Sequence, residues 1–345
     1  MSGSISTATP TTDSRDSVRP TSTDSRVGAM HIPRTPRMRQ RQRFDLSTWP
    51  EEDEIDGLEE LVAQTWNIYA VSTLFDIEQD DVHFKMYSKK LREEIANTLS
   101  HENVTYDVKF SIMENIASKP NSEDPIIKIE VISKINSNEN GIEKSIYKGI
   151  LLSWSFTQTK LNIQNAIRLP LLLCRGTSSC MNAVHTIIGR MFDCLIVTLP
   201  ANEDDLRWLV PIIITATNKD ESIVFGEVQM EYTVPGLPVT DVIKVKFHSS
   251  NLKEILSVIA EDQDDRVNVF LDYEHIKMFH EVLHKQMLMI GGLHLGFCTL
   301  HRINLPGVTV MENRMKVTNV DIMNNILLYF SDKAFDIFHT VHIDI

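Results

Sequence analysis

Three consecutive segments between residues 106 and 157 favour an extended backbone, and that period constrains the fold more than any other feature of the chain. Tyr106, Val108, Phe110 and Ile112 alternate strictly, Ile127, Ile129 and Val131 alternate after Pro125, and 145–157 is β-branched and aromatic. Asn136 to Gly141 is turn material, so the last two segments are expected to form a hairpin. Elsewhere the period is helical. Residues 56–70 put Leu58, Leu61, Val62, Thr65, Trp66 and Tyr69 on one face, and 82–99 do so with Phe84, Tyr87, Leu91, Ile95 and Leu99. Both are read as amphipathic helices.

Further along, Leu169 to Leu173 and the loop Gly176 to Ser179 lead into a helix carrying Met181, Val184, Ile188, Phe192 and Leu195. A helix from Asn202 to about Thr217 contains Pro211, which should kink or split it. Strands at 223–234 and 240–247 flank Pro235-Gly236-Leu237-Pro238, and a helix capped by Ser250 or Asn251 follows. A long helix runs from Asp272 to about Ile290, strands are expected at 293–303 and 308–319, and a helix from Asp321 to about His339 comes last. Helices grouped with antiparallel hairpins, without regular βαβ alternation, indicate an α+β fold. No repeat in the solenoid range is visible.

With 345 residues and 42% hydrophobic side chains, the chain can build a core without disulfides or metal. Residues 1–44 are different: Ser, Thr, Pro, Arg and Gln dominate, and such a segment cannot bury enough surface to offset its ordering entropy. A disordered basic tail is expected there, an N-terminal α+β half over 45–200, and a C-terminal half over 201–345. The tail holds eight Arg and three Asp (net +5), whereas the remainder holds 26 basic and 44 acidic residues (net −18). That acidic body argues against coating nucleic acid by bulk charge. Arg34, Arg37, Arg39, Arg41 and Arg43 lie within ten positions with no acid among them. They read as a solvated tail, a nuclear-import signal or a phosphate-binding arm. Thr35, before Pro36, is a candidate phosphorylation site whose added charge would weaken a phosphate contact.

Cys174, Cys180, Cys194 and Cys298 show no C-x-x-C spacing and no disulfide framework, which fits a reducing compartment. The longest apolar runs fall far short of the roughly 20 residues that span a bilayer, and the first 30 residues lack a secretory apolar core. Cytosol or nucleus is the expectation.

One motif suggests chemistry. His280-Glu281-Val282-Leu283-His284 satisfies H-E-x-x-H on a helix, where two His at i and i+4 can bind zinc with the Glu as general base. A third ligand is needed, and an extended zinc-protease motif would need Gly and His where the chain has Met287 and Ile290. Glu312 is a distant carboxylate in a hairpin, and His294 and His301 lie on an expected strand. The alternative is that His280 and His284 flank a buried stripe of Ile276, Phe279, Leu283 and Met287. P-loop, dinucleotide and nucleophile-elbow motifs are lacking, and Gly291-Gly292 reads as a helix C-cap. Lys89, Lys90 and Arg92 form a solvated cluster with some capacity for phosphate. No catalytic residue, metal or cofactor is assigned, and the chemistry expected is contact chemistry.

Several strings together resemble one family. Gln64-Thr65-Trp66-Asn67-Ile68-Tyr69 with Ser72-Thr73-Leu74-Phe75 is similar to a Trp-x-x-Tyr helix end and a Thr-Pro-Leu-Tyr segment, without the proline. Val131-Ile132-Ser133-Lys134 resembles a strand ending in Val-Ser-Lys. Leu169-Pro170-Leu171-Leu172-Leu173, Ile187-Ile188-Gly189 and Phe192-Asp193-Cys194 follow in the family's order and close to its spacing. Leu206-Arg207-Trp208, Ile326-Leu327-Leu328-Tyr329 and Ile337-Phe338 extend the likeness over about residues 55–340. The chain thus resembles the centromere protein L family of the inner kinetochore.

That resemblance implies a non-enzymatic protein whose strands build a curved, mostly antiparallel sheet with packed helices. It implies a nuclear, centromeric location and pairing with a centromere protein N relative, largely through the C-terminal half. Other inner-kinetochore subunits are implied partners, with centromeric chromatin contacted mostly indirectly and no membrane or small-molecule substrate. The partner edge is placed on the hairpin carrying Leu293, Leu295, Phe297, Thr299 and Ile303, then Val308, Val310, Met315 and Val317, since an unpaired strand templates another chain. The alternative is that these residues form the inner face of the chain's own sheet. Competing functions are an independent nucleic-acid binder using the Arg-rich tail, and a zinc hydrolase.

Overall fold

Alternating segments pair with one another, and the helical segments lie over the faces they leave apolar. The computed structural model describes residues 44–45, 57–99, 104–113, 125–135, 142–154, 165–216, 226–238, 240–260 and 270–339. Its strands are β1 (Phe44–Asp45), β2 (Thr65–Val71), β3 (Leu74–Phe75), β4 (Val104–Ile112), β5 (Ile127–Ile135), β6 (Ile142–Leu152), β7 (Ala166–Ile167) and β8 (Leu171–Gly176). They continue with β9 (Ile196–Thr198), β10 (Glu227–Thr233), β11 (Val242–His248), β12 (Phe270–Leu271), β13 (Thr299–Leu305), β14 (Val308–Met311) and β15 (Arg314–Val317). The helices are α1 (Asp81–Leu99), α2 (Ser178–Met191), α3 (Glu203–Ala216), α4 (Ser249–Ala260), α5 (Tyr273–Gly291) and α6 (Val320–His339), with 3₁₀ turns at Leu58–Glu60 and Leu295–Phe297.

Eleven strands form one sheet in the order β11-β10-β13-β14-β15-β2-β8-β6-β5-β4, with β9 also on β2. Each described pairing is antiparallel, including the short ribbons β1 with β12 and β3 with β7. The fold is α+β. Register shifts at Val131/Ile132 and Glu231/Tyr232 are bulges, the devices that bend and twist a long sheet. Strand β15 from the C-terminal half pairs β2 from the N-terminal half. Residue 200 therefore separates groups of helices that share a sheet.

Two cores lie on opposite faces. On one, Phe84, Tyr87, Leu91 and Ile95 of α1 and Val184 and Ile188 of α2 cover Val108, Phe110, Ile127, Ile129 and Val131. On the other, α3 to α6 bring Leu209, Ile213, Phe279, Leu327 and Phe330 over Met230, Ile303, Val310 and Met315. Strand β8 belongs to both: Leu171 and Leu173 face the second core, Leu172 and Cys174 the first. This explains why Leu171 to Cys174 is an unbroken apolar run, as a strand covered on both sides requires. Each such leucine contributes about 1.5–3 kcal/mol of burial.

Several expectations change. Residues 56–70 are not a helix: the 3₁₀ turn stops at Glu60, Ala63 is left-handed (φ 59°), and β2 buries Trp66, Ile68 and Ala70 at every second position. Its aromatic and β-branched residues fit both periods, and pairing with β8 and β15 selects the strand. Ser250 and Asn251 do not cap α4; they lie inside its first turn, which begins at Ser249. The expected strand 293–303 starts only at Thr299, after a 3₁₀ turn, and 308–319 is two strands folded at Glu312 (φ 50°). Pro211 lies within α3 without splitting it. Phe44, the last residue of the segment read as a tail, pairs with Leu271, whereas 1–43 and the turn 136–141 lie outside the described residues.

Candidate partner-binding surface

Helix α5 is apolar on two sides. Its inner stripe, Ile276, Phe279 and Leu283, is buried in the core, where α5 packs against α3 and α4, as amphipathicity demands. A second stripe, Met278, Val282 and Met289, points outward, Phe297 lines one cleft with Met278 and Val282, and Ile290 is exposed at the end of the helix; Met289, Ile290 and Phe297 are 82%, 75% and 78% exposed. Most soluble surfaces avoid grouping such side chains, and a contiguous patch marks a contact with another molecule.

Local chemistry holds the patch in place. Asp272 caps α5 by accepting from the His275 N–H at 2.9 Å, while the His275 ring reaches the Asp272 backbone in a reciprocal capping box. At the other end Gly292 adopts the left-handed conformation (φ 64°), and its N–H donates to the Leu288 carbonyl. The chain then reverses into the 3₁₀ turn, which sets Phe297 beside α5. Between them lies a cleft of about 540 Å³ lined by Met278, Val282, His284, Lys285, Leu288 and Phe297.

The residues expected to bind a partner divide. Leu295, Ile303, Val308, Val310, Met315 and Val317 are buried in the chain's own core, and β13, β14 and β15 each have strand neighbours on both sides. The expectation of an unpaired edge there is overturned, because β2 closes one flank and β10 the other. Leu293 is half-buried, and Phe297 and Thr299 remain at the surface. The outer strand at this end of the sheet is β11, whose Lys244 and Lys246 pair with Glu231 at 3.6 Å and Glu227 at 2.8 Å. Arg34, Arg37, Arg39, Arg41, Arg43 and Thr35 lie outside the described residues.

His280 and His284 do not assemble a metal site with a third ligand among the described residues. His280, 4% exposed, donates from Nε2 to the Arg207 carbonyl oxygen at 3.0 Å. Burial pushes its pKa down to about 3, which keeps the ring neutral. His284 packs edge-on against Tyr232, and burial lowers its pKa as well. The H-E-x-x-H spacing serves packing here: His280 Nε2 is spent on the Arg207 carbonyl, and no third ligand joins the pair among the described residues. A grouping that the sequence did not reveal is Glu78, Asp80 and His83, but Asp80 spends its oxygens on capping α1 through the Val82 and His83 N–H groups and on the His83 ring at 2.7 Å. It is an exposed helix cap. Cys174, Cys180 and Cys194 are free and buried, with burial raising the thiols to about 12, 11 and 12. Such thiols are inert.

No helix of the described residues is long and apolar enough to cross a membrane. Comparison with curated proteins found no match. The family model for centromere protein L matches residues 60–335, which takes in both helix groups and the whole shared sheet. With four-fifths of its length following that pattern, the chain belongs to the centromere protein L family.

Proposed function

We propose that the chain is a non-enzymatic scaffold subunit of the inner kinetochore in the nucleus, pairing with a centromere protein N relative to support kinetochore assembly and chromosome segregation. Membership of a centromere family supports the setting. The second apolar face of α5, continued by Phe297, is the observation that supports pairing through the C-terminal half, because burying Met289, Ile290 and Phe297 would recover several kcal/mol of apolar transfer energy. In this reading chromatin contact is largely the partner's. The cluster Arg34 to Arg43 adds import or phosphate contact, and modification of Thr35 weakens the latter.

The test is co-purification of the full chain with the centromere protein N relative of the same organism, followed by light scattering. A one-to-one complex is expected, and Met289→Glu with Phe297→Glu should dissolve it while leaving the melting temperature unchanged. A complex indifferent to both substitutions would sink the proposed interface, and a chain that ignores the partner would sink the pairing.

A further inference from the structure

At the opposite end of the sheet, β4 is the last strand, with a neighbour on one side only among the described residues. Its Phe110 N–H turns away from β5 and donates to Ser88 Oγ of α1 at 3.0 Å. Phe110 faces Ile129, and with its N–H turned away and Met113 donating to Ile126 three residues on, that pair is a non-hydrogen-bonded one. Val108 and Ile112 have the same parity, so their amides also point outward, and no described residue accepts from them. Helix α1 thus replaces a missing strand at Phe110, and among the described residues the Val108 and Ile112 amides on either side have no acceptor.

A groove of about 550 Å³ runs between this edge and α1. Its floor is Phe84, Val108 and Phe110, and its rim is Lys85, Lys89, Arg92 and Lys109. None of the four cations makes an ion pair with another described residue, and Asp81 is the sole acid lining the groove among the described residues. In a body of net charge −18 this is a local reversal of sign. Lys85, Lys89 and Arg92 follow one helical face at i, i+4 and i+7, about 6 and 10 Å along the axis. Alternate residues of a strand repeat every ~6.7 Å, so carboxylates on one face of an added strand come within reach of that row.

We propose that this groove docks an extended acidic segment of another protein, whose backbone carbonyls meet the edge amides of β4 to either side of Ser88 and whose carboxylates stand against Lys85, Lys89 and Arg92. The surface is independent of the α5 patch. A DNA duplex is the weaker fit: it is a convex rod, and it would leave both the apolar floor and the edge amides unused.

The experiment uses the full chain and a fluorescent peptide of about eight residues alternating glutamate and valine. Controls are the same peptide with lysine for glutamate and a duplex of about 20 base pairs. The acidic peptide should bind at low salt and the lysine peptide should not. Changing Lys85, Lys89 and Arg92 together to Glu should weaken binding about tenfold or more without moving the melting temperature. Hydrogen exchange at Val108 and Ile112 should slow only when peptide is bound. Met289→Glu should leave peptide affinity unchanged, which separates this surface from the other. The proposal is overturned by absent or variant-insensitive peptide binding, by edge amides already protected in the free chain, or by duplex binding that needs these cations while the peptide does not bind.

Discussion

The His280 ring donates its Nε2–H to the carbonyl oxygen of Arg207 at 3.0 Å, and that acceptor is the one Pro211 strands within α3. Proline has no N–H to return to the carbonyl four residues earlier. A histidine 73 positions away on α5 supplies the missing donor. This pairing accounts for an unsplit helix, for a buried histidine and for half of an apparent zinc motif at once.

The first prediction is a coupling. His280→Ala removes a buried donor and leaves the Arg207 carbonyl unmet, at a cost of about 2–4 kcal/mol. In a Pro211→Ala background the helix itself supplies an N–H to Arg207, so the same substitution should cost about 1 kcal/mol less. Urea unfolding of the four proteins measures the cycle, and simple additivity would contradict the bridging role.

Acid stability should depend on buried histidines. His280 and His185 are held neutral by burial, with pKa values lowered to about 3 and about 4. Below about pH 6.5 the unfolded chain binds protons at both sites that the folded chain refuses. Stability is therefore full above the unfolded pKa and falls as pH drops from there toward the folded values, by up to about 1.4 kcal/mol per pH unit for each ring. Denaturant midpoints from pH 7 to pH 4 should show a shallower fall for His185→Phe than for the parent chain.

Between α3 and α6, Lys333 Nζ lies 2.5 Å from Asp205 Oδ2, and Tyr329 donates to Asp205 Oδ1 at 2.8 Å. Asp205 also receives the Asn202 N–H at 2.6 Å, and Lys333 reaches the Pro200 carbonyl. Both charges are buried. Lys333→Met should cost about 3–5 kcal/mol by isolating the carboxylate, and adding Asp205→Asn should restore a good part of it. Thermal melts of the single and double variants decide the point.

Gly176 ends β8 with φ 154°, and a Cβ there would collide with the Ile146 carbonyl oxygen of β6. Since the two strands pair directly, the backbone has little room to give. Gly176→Ala should destabilise by about 1–3 kcal/mol, visible as a lowered denaturant midpoint.

Much of the local structure was legible from the chain alone. The alternation at 106–112 and 127–131 marked β4 and β5, and Asp272 with Gly292 bracketed α5 because capping is a near-neighbour property. Even the second apolar face of α5 was present in the spacing of Met278, Val282 and Met289, although only burial showed which stripe faces out. Tertiary structure decided the rest. Thr65 to Val71 satisfied both a helical and a strand period, and strands distant in sequence chose between them. Whether β13 to β15 offered an edge depended on β15 meeting β2, with Arg314 beside Asn67, far apart in the chain, and that pairing turned an expected docking hairpin into interior sheet. The sequence by itself determined the periods, caps and turns, which depend on residues a few positions apart. Free edges, buried donors and exposed patches are set by what packs against them, and long-range pairing alone supplies that.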